Sequence, residues 1–210
     1  MKIAILLFDR FTALDAVGPY EILARMPSAE VVFTAARRGP VRSDLGSLAL
    51  TADATLDEVT AADLLLVPGG PGSLDQQERP EVLDWLRAVD ATTTWTTSVC
   101  TGSILLAAAG LLTGRRATTH WLLPQALAAF GAEPVDERVV FDGKYATAAG
   151  VSSGIDLALH LVGRIHDAET AQGIQLLTEY DPQPPYTAGS TRTAPPAVVD
   201  AVRAQYAIPS

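Results

Sequence analysis

The stretch Thr97-Ser98-Val99-Cys100-Thr101-Gly102-Ser103 runs directly into Ile104-Leu105-Leu106-Ala107-Ala108-Ala109. A strand runs out in the first segment and an apolar helix begins in the second, so Cys100 falls on a sharp strand-to-helix turn. A thiol at that junction points out of the sheet and across the start of a helix, where the dipole and free N–H groups favour thiolate. Gly102 permits the close backbone approach such an elbow needs. A lone cysteine is more often inert packing, and its position alone leaves the two roles evenly matched.

Outward from this elbow, short apolar runs alternate with helical patterns, as in a mostly parallel sheet flanked by helices. Strands are expected at Lys2–Phe8, Glu30–Ala36, Asp63–Val67 and Thr93–Thr97, with weaker ones at Leu48–Ala52, Arg138–Phe141 and Tyr145–Ala148. Leu64-Leu65-Leu66-Val67 is uniformly apolar, which suits a central strand buried on both faces. Asp142-Gly143 marks a hairpin between the last two. Helical patterns cover Leu14–Arg25, Glu81–Val89, Thr101–Ala109, Leu122–Phe130, Gly154–Ile165 and Ala168–Leu177, and Gly110 and Gly131 stand where C-caps belong. Asp181-Pro182-Gln183-Pro184-Pro185-Tyr186 excludes helix and central strand alike. The expectation is one α/β domain over 1–210, with an extended proline-rich arm near 181–196 and a last helix near Ala197–Tyr206.

The 210 residues suffice for one hydrophobic core. Fifteen basic against 24 acidic side chains leave a formal charge of −9, which argues against nucleic acid or an anionic membrane as partner. The apolar run Ile3–Phe8 is too short for a signal peptide or a membrane span, so the expected compartment is the cytoplasm. A single cysteine excludes an internal disulfide, and His120, His160 and His166 lack ligand spacing, so no metal site is expected.

Two further features fall at carboxyl ends of strands, where parallel sheets bind ligands. In Val67-Pro68-Gly69-Gly70-Pro71-Gly72, Gly69 and Gly70 free backbone N–H groups that could face a ligand as an oxyanion hole; a plain tight turn is the alternative. Asp15 opens the helix after the first strand. It is either an N-cap or a carboxyl that holds a proton for the thiol, with burial setting its pKa. Glu21 is a weaker candidate on the same helix. Thr101, not histidine, follows Cys100, so the elbow supplies no Cys–His pair, and His120 either reaches the site as a pocket residue or caps a helix near it, the structural role being favoured.

Together, Pro68-Gly69-Gly70, Thr97–Gly102 and Ala117-Thr118-Thr119-His120-Trp121 resemble the DJ-1/PfpI superfamily, and more narrowly its isonitrile hydratase branch. The resemblance continues through Leu14-Asp15, Gly18-Pro19, Gly154-Ile155-Asp156 and Glu179-Tyr180. It implies a flavodoxin-like sandwich of the class I glutamine amidotransferase type, a homodimer, and cofactor-free addition of water to a small apolar isonitrile. By motif position it implies Cys100 as nucleophile, Asp15 as proton donor and acceptor, and Thr101 as hydrogen-bonding partner. Gly70 and the Thr101 N–H would be oxyanion-type donors, and Val151 and Ser152 would line the pocket. The superfamily also contains PfpI-type amide enzymes, glyoxalases, thiol-based stress sensors and the sensing halves of transcription regulators. Thr101 in place of histidine weakens the peptidase alternative, and the chain ending at Ser210 is not expected to hold a helix-turn-helix domain.

Overall fold

The computed structural model describes residues 1–206, which divide into two compact units, Met1–Thr178 and a second beginning at Glu179. In chain order the first unit opens with β1 (Lys2–Leu6), α1 (Ala13–Leu23), β2 (Glu30–Ala35), β3 (Gly39–Arg42), β4 (Ala49–Ala52) and β5 (Ala54–Thr55). It continues with β6 (Leu64–Val67), α2 (Gly72–Gln76), α3 (Pro80–Asp90), β7 (Trp95–Val99), α4 (Gly102–Ala108) and β8 (Arg116–Ala117). Then come α5 (Pro124–Ala129), β9 (Glu133–Pro134), β10 (Val139–Asp142), β11 (Tyr145–Ala148), α6 (Ser153–Ile165) and α7 (Ala168–Leu177). The second unit holds α8 (Pro196–Gln205) after the stretch rich in proline.

Seven strands form one sheet in the order β10-β11-β7-β6-β1-β2-β5. Every pair is parallel except the β10–β11 hairpin, which turns at the Asp142-Gly143 signal. After β1 the chain builds β2 on one side and β6 on the other, so the order reverses at β1 and leaves a crevice at the carboxyl ends of β1 and β6. Asp15 and the Gly69-Gly70 turn follow those two strands.

Burial explains the elements. Each residue of β6 is buried, as its unbroken apolar run requires. Helix α3 buries Val82, Trp85, Leu86 and Val89, one stripe at helical spacing. Helix α4 buries Gly102 through Ala107 on every side, so the elbow is seated on a helix enclosed by the core.

Two boundaries moved for identifiable reasons. The expected strand at Thr93–Thr97 lies at Trp95–Val99 instead. Thr92 and Thr93 donate their hydroxyls to the carbonyls of Val89 and Asp90 at 2.8 and 2.9 Å, closing the end of α3 and keeping both out of the sheet. Helix α5 begins at Pro124, not Leu122, because proline is suited to a first helical position.

Candidate active site

Cys100 sits one residue past β7 with φ 58°, a left-handed conformation that costs a non-glycine residue about 1–3 kcal/mol. Its surroundings impose it. The Cys100 N–H donates to the carbonyls of Ala148 and Ala149 at 3.0 and 2.9 Å. Its carbonyl accepts the hydroxyls of Thr119 and Ser103, each at 3.1 Å. Two glycines make room: a Cβ on Gly102 would lie 2.1 Å from the Val67 carbonyl oxygen, and one on Gly69 would lie 2.5 Å from the Thr101 nitrogen. The Cys100 side chain is buried.

Asp15 lies in the first turn of α1 and is wholly buried. Its Oδ2 accepts the Gly69 N–H at 2.9 Å, whereas Oδ1 is buried without a conventional hydrogen-bond partner. Burial pushes the Asp15 carboxyl up to about 7. The Gly69 N–H and the Cys100 thiol pull against that rise, and the charge of Asp44 adds to it. The two groups are therefore close enough to shift each other.

The helix-terminus expectation for the thiol is overturned. Burial, and then the negative charge of Asp15, push Cys100 well above the usual thiol range. The N–H groups of Thr101 and Val151 favour thiolate, as a helix start should, but α4 is seven residues long and their contribution is outweighed. Burial and the Asp15 charge thus disfavour thiolate in the resting site.

The glycine pair differs from its expected use as well. The Gly69 N–H is committed to Asp15, and the Gly70 N–H donates to Thr101 Oγ1 at 2.9 Å. Neither is a free oxyanion donor in this arrangement. Their turn holds the acid in place instead. Thr101 Oγ1 also accepts the Ser73 hydroxyl at 2.9 Å, tying the elbow to α2. Ser73 was not singled out from the sequence, because nothing in Pro71-Gly72-Ser73 announces a contact with a residue 28 positions away.

Val151 has φ 39°, exceptional for a β-branched residue, and its N–H is one of the two directed at Cys100. Ser152 is turned elsewhere: its Oγ lies 3.4 Å from Arg138 Nη2. His120 packs on the same loop, since a Cβ on Gly150 would lie 2.7 Å from its ring. Its Nδ1 is 3.4 Å from the Leu122 N–H and burial lowers its pKa, in keeping with a structural role. Glu21 is occupied by an exposed ion pair with Arg25. Asp44, also unforeseen, accepts the Thr12 hydroxyl at 2.7 Å at the start of α1. Among the described residues no cluster of three or more His, Cys, Asp or Glu side chains could hold a metal ion, and no helix is long and apolar enough to cross a membrane.

The comparisons with known proteins show the same fold and family. The isonitrile hydratase of Pseudomonas putida is 44% identical over 203 residues, 97% of this chain and 89% of that protein. A ThiJ/PfpI family protein from Pseudomonas syringae superimposes with a TM-score of 0.95 at 40% identity, over 98% of this chain and 86% of that one. The HTH-type transcriptional regulator CdhR of Pseudomonas aeruginosa is 36% identical over 138 residues, 63% of this chain and 40% of the regulator. The DJ-1/PfpI family model matches residues 1–164, and with an elbow cysteine facing a buried carboxyl at the carboxyl edge of a flavodoxin-like sheet, this chain belongs to the DJ-1/PfpI family.

Proposed function

We propose that this protein is an isonitrile hydratase, adding water to R–N≡C to give an N-substituted formamide. The relative from Pseudomonas putida, matched over nearly the whole of both chains, supports the reaction. The observation that carries it at the site is the buried, unpartnered Oδ1 of Asp15 next to the buried thiol of Cys100.

Asp15 and Cys100 act as one acid–base unit. With one proton between them, transfer from sulfur to Asp15 gives a thiolate beside a carboxylic acid. The thiolate Sγ bonds to the terminal isonitrile carbon, and the Asp15 proton is delivered to that same carbon, giving a thioimidate. The N–H groups of Thr101 and Val151 stabilise sulfur while it carries charge. Asp15, now a carboxylate, takes a proton from water as the oxygen attacks the thioimidate carbon. Asp15 passes that proton to the nitrogen, then takes the hydroxyl proton as the tetrahedral adduct collapses and the C–S bond breaks, so the formamide leaves and thiolate returns beside a protonated Asp15. Thr101, Gly69 and Gly70 hold the acid and the elbow in register. The chain acts on a neutral substrate without cofactor. We also propose that it works as a homodimer in the cytoplasm, and that 1–210 serves as one family domain with its proline-rich arm.

Formation of formamide from an aryl isonitrile, followed by absorbance, tests the assignment. Wild type should turn over while Cys100→Ala and Asp15→Asn should not. Failure of wild type on several isonitriles would sink it. Methylglyoxal conversion that depends on Cys100 would then favour a glyoxalase, and peroxide oxidation of the thiol without turnover would favour a sensor. Light scattering after size exclusion tests the dimer.

A further inference from the structure

A cavity lies away from the elbow. It encloses about 350 Å³ at the carboxyl ends of β1 and β2, and neither Cys100, Asp15 nor Thr101 lines it. Its apolar side is formed by Leu7, Phe8, Ala35, Val41, Leu56 and Val82. Its polar side carries three arginines, Arg37, Arg38 and Arg79, with Asp9 and Gln76.

Two of the three are committed. Arg38 grips Glu58 with Nε and Nη2 at 2.9 and 2.8 Å and also bonds the Asp53 carbonyl. Arg79 pairs with Glu81 at 2.7 Å. Arg37 is exposed and forms no hydrogen bond or ion pair among the described residues. A free guanidinium over an apolar basin matches an anion with an apolar body, because its planar fork bonds a carboxylate through two parallel N–H groups. Asp9 on the rim, with Glu58 and Glu81 close by, disfavours a doubly charged group. The volume is within the range of small-molecule sites, and the carboxyl ends of parallel strands are where such ligands bind.

We propose that this cavity binds a small organic monocarboxylate, its carboxylate on Arg37 and its hydrocarbon chain on the Leu7–Phe8–Val41–Leu56 surface. This assignment does not rest on the hydratase chemistry, and its test reads binding and not turnover. Isothermal titration calorimetry with sodium hexanoate should give saturable binding of one molecule per chain. Hexanamide and sodium acetate, lacking the charge and the chain respectively, should each bind at least about tenfold more weakly. Arg37→Ala should weaken hexanoate by about tenfold and Arg37→Glu should abolish it; Arg37 is exposed, so both variants should fold. Cys100→Ala should leave hexanoate binding unchanged. The proposal is overturned by absence of saturable binding, by equal binding in Arg37→Glu, by acetate matching hexanoate, or by loss of binding in Cys100→Ala.

Discussion

Asp15→Asn should stabilise the protein above neutral pH while destroying its activity. Asp15 titrates at about 7 in the folded chain against an ordinary 3.8. Its folded-state pKa is raised, so between these values the native state binds a proton that the unfolded chain has released. Stability from this group is complete below about pH 4 and falls as pH rises through the interval, until it is lost above about 7. At about 1.4 kcal/mol for each pH unit, the loss amounts to about 4 kcal/mol. For a chain of this size that corresponds to roughly 10 °C in Tm. Asparagine has nearly the same shape, keeps an oxygen to accept the Gly69 N–H, and never ionises. Thermal melts of wild type and Asp15→Asn from pH 5 to pH 8.5 should therefore diverge, with the variant gaining the advantage as pH rises. Parallel melting curves over that range would refute the account, since they would mean that the carboxyl is not desolvated at the cost its burial implies.

The same pair sets the pH dependence of catalysis. The two-proton state, acid beside thiol, lacks a nucleophile, so kcat/KM should rise as pH increases through about 7; a flat profile from pH 5 to 8 would count against a shared proton. Asp44→Asn removes a charge that raises the Asp15 pKa, and the midpoint of that rise should move to lower pH; an unmoved or higher midpoint would exclude Asp44 from the site's electrostatics. Thr101→Val leaves the Gly70 N–H and the Ser73 hydroxyl without their buried acceptor. It should cost about 2 kcal/mol in urea unfolding and lower kcat, and unchanged stability would show that the hydroxyl does not tie the elbow to α2. Gly102→Ala would put a Cβ 2.1 Å from the Val67 carbonyl oxygen; a folded, active variant would show that the elbow tolerates a shift the described geometry forbids.

What could be read along the chain was whatever depends on neighbours in sequence. Leu64–Val67 reads as a buried strand because its apolar run is short and stops at Pro68-Gly69-Gly70. Cys100 had to stand on an elbow because a strand pattern and an apolar helix meet there. Asp15 could be placed at a strand's carboxyl end from the spacing of strand and helix alone. The chemistry at those positions depended on contacts far apart in sequence. Desolvation of Asp15 comes from the packed crevice around it, and the backbone N–H that its carboxyl accepts comes from Gly69, 54 residues on. That burial outweighs the helix start and disfavours thiolate at Cys100. The commitment of the Gly69 and Gly70 N–H groups, the Ser73 link and the strained Val151 N–H are likewise products of four separate loops meeting. Local sequence determined which residues stand at the sheet's carboxyl edge; only the tertiary structure decided how much water each one loses there and which partner replaces it, and those two quantities set the proton's position between Asp15 and Cys100.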